Sequence, residues 1–206
     1  MTSKNLQTAL KIFQKSGGVL TMSEALKLGI HRRELYQLHE NGQLEQLSRG
    51  LYRLKKMPEP ASPDFLPIAK KISKGVICLI SALAFHELTT QIPHFVYVAL
   101  PQNKPKPSID YPPTRYFWYS EKSLKTGIKK HRIDGCIVSI FDAEKTLVDC
   151  IKFRNKIGMD IVLEALHMYW PSRKKNINKL LAYAKMFKMD RILKPILETI
   201  ASGYSE

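Results

Sequence analysis

The spacing of apolar residues near the N-terminus predicts two helices separated by a glycine pair. Apolar side chains recur at the i, i+3, i+4 and i+7 positions of one helical face, at Leu6, Ala9, Leu10 and Phe13. Gly17 and Gly18 then interrupt the helical pattern. Thr21 and Glu24 have the spacing of a capping box, in which each side chain bonds the backbone N–H of the other residue. A second helix is therefore expected from about Met22.

A third helix and a short hairpin follow. The third helix is predicted over residues 31–41, with Leu35 and Leu38 facing inward. Short strands are predicted at residues 44–47 and 51–54. The three residues between them end in a glycine, which suits a backbone position with positive φ.

Three helices followed by a two-stranded ribbon is the order of a winged helix-turn-helix, so residues 1–57 are predicted to be a DNA-binding domain. At 100° per residue, Arg33 and Gln37 point away from the inner face of the third helix. Arginine pairs with guanine O6 and N7, and glutamine pairs with adenine N6 and N7. A solvated outer face on a small helical bundle is the alternative interpretation. The candidate DNA-contacting residues are Arg32, Arg33, Tyr36, Gln37, Arg49 and Arg53.

Three prolines in residues 57–63 predict a domain boundary, because proline is excluded from helix interiors and central strands. β-Branched and aromatic runs at residues 95–100 and 115–119 predict strands, and Asp134–Gly135 predicts a hairpin turn. Helical patterns continue from there to the end. Residues 58–206 are thus predicted to form a second domain. The predicted fold class is α+β, with a small, mostly antiparallel sheet and a C-terminal helical tail.

Three polar or proline positions predict details of the helices in this second domain. Ser81 is expected to cap a helix that runs through Leu88. Asp142 is expected to cap another helix. Pro195 is expected to kink the last helix or to delay its start, because proline has no backbone N–H to donate.

The charge balance favours a polyanionic partner. Lys and Arg number 33 against 18 Asp and Glu, which gives a formal net charge of +15. Such an excess attracts nucleic acid or an anionic membrane surface, although charge also keeps a chain soluble. Residues 1–57 carry 10 basic and 4 acidic residues, and residues 58–206 carry 23 and 14. The charge alone therefore does not single out the N-terminal domain.

A second basic surface is predicted in the C-terminal domain. Part of it lies on and before the predicted hairpin, and part lies before a late helix, where cations oppose the helix dipole. This surface is interpreted either as a solvated face or as a contact with DNA or RNA phosphates. The neighbouring aromatics Tyr116, Trp118 and Tyr119 are candidates for base stacking or for core packing. The basic residues are Lys125, Lys129, Lys130, Arg132, Arg173, Lys174 and Lys175.

Catalysis, metal binding and membrane insertion find no support in the sequence. Phosphate-binding, zinc-protease and nucleophile-elbow motifs are absent, and no lysine follows an acidic residue by two positions as in restriction-like nucleases. Asp142, Glu144, Lys145 and Asp149 are interpreted as structural groups near a helix start. Three widely spaced cysteines and the lack of an apolar span predict a cytoplasmic protein without cofactor or metal.

Three short segments resemble the AbiEi-type antitoxins and related transcriptional regulators of bacterial type IV toxin–antitoxin systems. They are SRGLYR at residues 48–53, SALAFHELT at residues 81–89 and IFDAEKTLVD at residues 140–149. The resemblance extends over almost the whole chain and is carried by the order and spacing of these segments.

The resemblance implies a repressor that binds inverted repeats of double-stranded DNA in its own promoter through the N-terminal domain. It implies a C-terminal domain that counters a nucleotidyltransferase-like toxin without forming a stable complex. The family also includes stand-alone regulators with no toxin. The basic C-terminal surface leaves a second hypothesis open, that of an RNA-binding or nucleotide-handling protein.

Overall fold

Helices and strands lie close to where the apolar pattern predicts them. The computed structural model describes residues 3–59, 62–133 and 135–204. In chain order, the described elements are α1 (Ser3–Lys15), β1 (Val19–Thr21), α2 (Met22–Lys27), α3 (Arg32–Glu40), β2 (Leu44–Ser48), β3 (Leu51–Leu54), α4 (Phe65–Lys71), β4 (Val76–Ile77), α5 (Leu79–Phe85), β5 (Val96–Pro101), β6 (Thr114–Tyr119), α6 (Glu121–Lys125), β7 (Ile128–Ile133), β8 (Cys136–Phe141), α7 (Ala143–Lys152), α8 (Arg154–Ile157), α9 (Met159–Tyr169), α10 (Ile177–Met186) and α11 (Asp190–Gly203).

Contacts between Cα atoms divide the chain into two compact units. The first unit contains the described residues of Met1–Gly75, Pro107–Pro113 and Lys130–Val138. The second unit contains those of Val76–Lys106, Thr114–Lys129 and Ser139–Glu206. The domain ranges 1–57 and 58–206 stay a prediction, and residues 60 and 61 of the proline-rich linker lie outside the described residues.

The N-terminal helices pack on a three-stranded antiparallel sheet in the first unit. The strand order is β1-β3-β2, so the hairpin strand β3 lies in the centre. Phe13, Leu35 and Leu38 are fully buried and join α1 and α3 to one core. Thr21 and Glu24 form the predicted capping box at the start of α2. The helices therefore have the predicted order and a shared apolar core.

A second apolar cluster contains residues from later in the chain. Leu66 of α4 and Cys136 of β8 pack with Val19 and Leu51 of the small sheet. Lys70 of α4 also donates a hydrogen bond to Glu24 at 2.9 Å. Because these contacts lie within the first unit, this unit is more than a local N-terminal module.

A five-stranded sheet has the order β6-β5-β4-β8-β7, and its strands β4, β5 and β6 lie wholly in the second unit. Strand β4 pairs antiparallel with β5 and parallel with β8, and β5 pairs parallel with β6. The sheet is thus mixed, which differs from the expected mostly antiparallel arrangement. Sequence patterns give the strands but not their partners, and the direction of β6 depends on the long connection that precedes it.

Helices α7 and α9 to α11 form the predicted helical tail, and the α+β fold class is confirmed. They share a core with α5 and the sheet in which Leu147, Val162 and Leu180 are fully buried. Asp142 caps α7 as expected, since its side chain accepts a hydrogen bond from the Lys145 backbone at 2.9 Å.

One expectation about the second unit is wrong, and of the two alternatives for Pro195 the late start is wrong while the kink stays a prediction. Cys78, not Ser81, precedes the first turn of α5. The Ser81 hydroxyl instead accepts a hydrogen bond from the Tyr97 backbone at 3.0 Å and bonds the Phe95 carbonyl, which joins α5 to β5. Helix α11 begins at Asp190, so Pro195 lies inside it and does not delay its start. The Asp134 half of the predicted hairpin turn lies outside the described residues.

Candidate nucleic-acid interface

Helix α3 is held in place by buried residues on one face. Leu35 and Leu38 are fully buried, and Glu34 in the first turn is 5% exposed. The Glu34 carboxylate accepts a hydrogen bond of 2.9 Å from the His31 backbone, which satisfies one N–H at the helix start. These contacts fix the rotation of α3 about its axis and so decide which side chains face outward.

The opposite face of α3 carries the predicted contact residues. Arg32 and Arg33 are exposed, Tyr36 is about half exposed and Gln37 is partly exposed. Within the described residues, neither Arg32 nor Arg33 forms an ion pair with an acidic side chain. The structure therefore brings four of the predicted residues together on one helix with their polar groups accessible.

Arg49 lies at the tip of the β2–β3 hairpin, where Gly50 has the expected positive φ of 72°. Its side chain is exposed, and its backbone N–H donates to the Asp110 carboxylate at 3.2 Å. Lys71 also bonds Asp110 at 3.1 Å, and this hydrogen bond lowers the pKa of the Asp110 carboxyl. The hairpin tip is thus tied to residues 107–113 through its backbone, which leaves the Arg49 guanidinium exposed.

Arg53 differs from the other predicted contact residues because its side chain is buried. It is 2% exposed, and its guanidinium pairs with Glu45 at 2.5 Å and donates to the Pro58 carbonyl. The two residues are opposite each other in the β2–β3 register. A guanidinium held in this way is not accessible to a phosphate, so we leave Arg53 out of the interface.

The residues of the predicted second basic surface lie on α6, on β7 and before α10. Lys125 pairs with Glu121 one turn earlier in α6, and Lys129 is exposed at the start of β7. Lys130 and Arg132 are exposed two positions apart on β7 and belong to the first unit. Arg173, Lys174 and Lys175 precede α10, and Lys175 donates to the Trp170 carbonyl.

Three charged residues of α7, Glu144, Lys145 and Asp149, are buried in the second unit. Lys145 and Asp149 form an ion pair of 2.5 Å and are 0% and 1% exposed. The aromatic rings of Tyr119, Phe141 and Phe187 surround the ammonium group, 4.5 to 5.0 Å from it. Burial lowers the pKa of Lys145 and raises that of Asp149. This closed arrangement agrees with the structural role predicted for the pair.

Glu144 has partners of its own on the other side of α7. The Tyr169 hydroxyl donates to it at 2.8 Å, and the Lys179 ammonium donates at 2.9 Å. Burial opposes ionisation of Glu144, but these two hydrogen bonds outweigh it and lower its pKa. Lys179 also reaches Asp142 at 2.9 Å, so the network connects α10 with the start of α7.

Two histidine side chains bond backbone carbonyls, and the three cysteines are buried. His86 bonds the Phe141 carbonyl at 2.7 Å, and His39 bonds the Leu44 carbonyl at 3.1 Å. Cys78, Cys136 and Cys150 are buried thiols. In the described ranges, no group of three or more His, Cys, Asp or Glu side chains is placed to bind a metal ion. None of the helices described is long and apolar enough to cross a membrane.

Comparison with protein families supports the interpretation of the N-terminal segment. Residues 7–55 match the family described as "Transcriptional regulator, AbiEi antitoxin". The predicted resemblance to AbiEi antitoxins is confirmed. The matched residues run from α1 to the end of the β2–β3 hairpin and make up about a quarter of the chain. No curated protein matches the chain.

The AbiEi match supports a role as a transcriptional regulator or antitoxin. It includes every predicted DNA-contacting residue, from Arg32 to Arg53, and none of the predicted second basic surface. Sequence patterns identified the outward residues of α3 because a helical face is set by local spacing. They missed Lys71 and Asp110, because Asp110 bonds the Arg49 backbone, and Lys71 bonds Asp110, across large separations in the chain.

Proposed function

We propose that the N-terminal AbiEi segment binds double-stranded DNA, with α3 in the major groove and the β2–β3 hairpin beside the phosphate backbone. The supporting observation is the two-sided character of α3. Leu35 and Leu38 hold one face in the core, while Arg32, Arg33 and Tyr36 are exposed on the other. Helix-turn-helix proteins use the exposed face of such a helix to place side chains against base edges.

The exposed side chains make two kinds of contact, with base edges and with phosphates. Arg33 and Gln37 lie one helical turn apart, so they reach neighbouring base pairs, Arg33 at guanine and Gln37 at adenine. Arg32 and Tyr36 lie beside them and contact phosphates or a thymine methyl group. Arg49 at the hairpin tip contacts a phosphate. Base contacts set the sequence preference, and phosphate contacts set position and salt dependence.

The regulated DNA is proposed to be the promoter of the protein's own operon. Binding to inverted repeats places two copies of the protein on one operator and represses transcription of the operon. The remainder of the chain, residues 58–206, is proposed to counter a nucleotidyltransferase-like toxin without a stable complex, in the cytoplasm. The match of residues 7–55 to AbiEi antitoxins supports this part of the proposal, and no catalytic reaction is assigned to the chain.

A gel-shift experiment tests DNA binding. The full chain is titrated against a labelled duplex from upstream of its own gene, with a scrambled duplex of equal length as competitor. The double variant Arg33→Ala/Gln37→Ala is expected to lose sequence preference, because each bidentate base contact contributes about 1–3 kcal/mol of discrimination. Full sequence-specific binding by this variant would contradict the assignment of α3 as the recognition helix.

A matched control removes one cation and one amide from another helix. Lys11 and Gln14 are exposed on α1. The variant Lys11→Ala/Gln14→Ala therefore loses one cation and one amide without changing α3, and we expect it to keep its preference for the promoter duplex. Circular dichroism of both variants checks that the fold is retained.

A further inference from the structure

A groove with aromatic and basic walls lies at β6 in the second unit. Strand β6 is at the edge of the five-stranded sheet and pairs with β5 on its other side. The groove has a volume of about 330 Å³. Its lining residues are Lys106, Thr114, Arg115, Tyr116, Phe117, Trp118 and Lys156.

The lining carries positive charge and no acidic side chain. Lys106, Arg115 and Lys156 contribute three cations, and none of the lining residues is Asp or Glu. Each cation lies over an aromatic ring: Lys106 is 6.0 Å from the Tyr116 centroid, Arg115 is 4.2 Å from that of Phe95, and Lys156 is 5.8 Å from that of Phe117. Cation–π contacts hold the charged groups near the groove without neutralising them. An anionic ligand matches this charge.

Trp118 presents an aromatic surface in a fixed orientation. The side chain is 43% exposed, although tryptophan is highly buried on average. Its indole N–H donates to the Lys104 carbonyl at 2.9 Å, which fixes the direction of the ring. The Tyr116 ring lies beside it, with 6.5 Å between centroids. An exposed ring that is already oriented loses little freedom when a flat ligand stacks on it.

We propose that this groove binds single-stranded nucleic acid, with a base stacked on Trp118 and the neighbouring phosphates contacting Lys106 and Lys156. Proteins that bind single strands without strong sequence preference stack the bases on aromatic side chains and place cations along the nucleic-acid backbone. A duplex does not fit this chemistry, because its bases are stacked on each other and only their edges are accessible. An acidic peptide matches the cations but gives the indole face no flat partner.

The proposed site does not share residues with the proposed duplex-binding helix. All of its lining residues lie in the second unit, whereas Arg33 and Gln37 lie in the first. Variants of the two sites are therefore independent. The double variant Arg33→Ala/Gln37→Ala is expected to keep single-strand binding even though it loses promoter binding, so the two proposals fail or succeed separately.

Tryptophan fluorescence gives a direct test, because the chain has two tryptophans. In the variant Trp170→Phe, Trp118 is the remaining tryptophan. The full-length variant is titrated with 12-nucleotide oligo(dT) and oligo(U). We expect saturable quenching of Trp118 emission, since a stacked base quenches an indole. Binding measured by anisotropy of labelled oligonucleotide without any change in Trp118 emission would overturn the proposal.

Substitutions in the groove separate stacking from charge. Trp118→Ala is expected to weaken oligonucleotide binding roughly 5- to 140-fold, the effect of losing one base–aromatic stack. Lys106→Ala/Lys156→Ala is expected to reduce the slope of log K against log[salt] by about 1.4, because two phosphate contacts are lost. The matched control Lys185→Ala/Lys194→Ala removes two exposed lysines elsewhere in the unit and is expected to leave affinity within about twofold.

Two competitors identify the ligand. Polyglutamate of equal charge is expected to displace labelled oligo(dT) poorly; displacement as effective as that by unlabelled oligo(dT) would overturn the proposal in favour of a general anion site. Thymidine monophosphate at equal nucleotide concentration is expected to quench Trp118 weakly. Quenching by the mononucleotide with the affinity of the 12-mer would overturn the proposal of a strand. Thermal unfolding of Trp118→Ala shows whether any loss of binding comes from loss of fold; unchanged oligonucleotide affinity in a folded Trp118→Ala would overturn the proposal.

Discussion

The backbones of Gly17 and Gly135 approach each other so closely that a Cβ on Gly135 would lie 2.5 Å from the Gly17 carbonyl oxygen. Gly17 follows α1, and Gly135 lies in the β7–β8 connection, more than a hundred residues later. Both residues have positive φ, 82° and 73°. Glycine is therefore required at position 135 twice, for backbone conformation and for space.

This contact predicts that Gly135→Ala destabilises the protein more than a glycine substitution in open surroundings. Gly42 has a φ of 68°, and a Cβ there would meet nothing within 4 Å. Gly42→Ala carries only the cost of the left-handed conformation, about 1–2 kcal/mol. Gly135→Ala adds a clash with backbone atoms, which costs about 1–3 kcal/mol more. Urea unfolding of the two variants measures the difference, and equal losses would show that the approach to Gly17 is unimportant.

We expect Lys145 and Asp149 to be strongly coupled in the free energy of unfolding, because they form a buried ion pair. Lys145→Met leaves a buried carboxylate without its cation and is expected to cost about 3–5 kcal/mol in the free energy of unfolding. Replacing both residues, in Lys145→Met/Asp149→Leu, is expected to recover most of that loss, since no uncompensated charge remains. Urea unfolding of both single variants and the double variant measures the coupling.

Additive effects in that cycle would contradict the ion pair as the source of stability. The double variant would then be less stable than either single variant by the full cost of the second substitution. Glu121→Gln/Lys125→Met gives a matched control, because that ion pair has the same i, i+4 spacing on α6 but is exposed. Its coupling is expected to be much weaker than that of the buried pair, because water screens exposed charges.

The lowered pKa of Glu144 predicts that the protein loses stability in acid. Its pKa is lowered in the folded protein by Lys179 and Tyr169, against the opposing effect of burial, from an ordinary value near 4.5. A depressed folded-state pKa stabilises the fold above the unfolded-state pKa, and this contribution is lost as the pH falls below about 4.5. Glu144→Gln is therefore expected to be about 1.5 kcal/mol less stable at pH 7, with the gap from the wild type closing toward pH 3. A gap that stays constant with pH would show that Glu144 ionisation contributes nothing.

Substitutions of Arg49 and Arg53 are expected to affect different properties, DNA binding and stability, although both residues lie in the β2–β3 hairpin. Arg49→Gln is expected to weaken binding to all duplexes similarly and to reduce the salt slope by about 0.9, the effect of one lost phosphate contact. Arg53→Gln removes the buried partner of Glu45 and is expected to lower unfolding free energy by about 1–3 kcal/mol with an unchanged salt slope. Gel shifts at several salt concentrations and thermal unfolding measure both. A reduced slope for a folded Arg53→Gln would restore that residue to the interface.

Features set by near neighbours could be predicted from the sequence. The bonds between Thr21 and Glu24 depend on residues three positions apart, and the outward face of α3 depends on helical spacing. Arg53 shows the limit of this approach. Its place in the hairpin suggested a DNA contact, yet the β2–β3 register places Glu45 opposite it. Pairing the two predicted strands residue by residue would have indicated this ion pair.

Features that depend on distant segments could not be predicted. Asp110 reaches the Arg49 backbone across 61 residues, and Gly135 reaches Gly17 across a longer separation. The parallel pairing of β5 and β6 leaves β6 at the sheet edge, and this pairing makes the groove around Trp118. The alternation of side chains along β6 indicates which residues share a face of the strand, but it does not indicate which strand pairs with β6.

During synthesis on the ribosome, the apolar cluster around Leu51 cannot be completed until Cys136 has been added to the chain. Val19, Leu51 and Leu66 leave the ribosome early, while Cys136, which packs with them, follows some 70 residues after Leu66. At about 5–20 residues per second, the nascent chain waits roughly 3–14 s before that cluster can close. During this interval the nascent protein exposes apolar side chains next to strand edges, and a ribosome stalled before residue 136 would leave them open to aggregation and proteolysis.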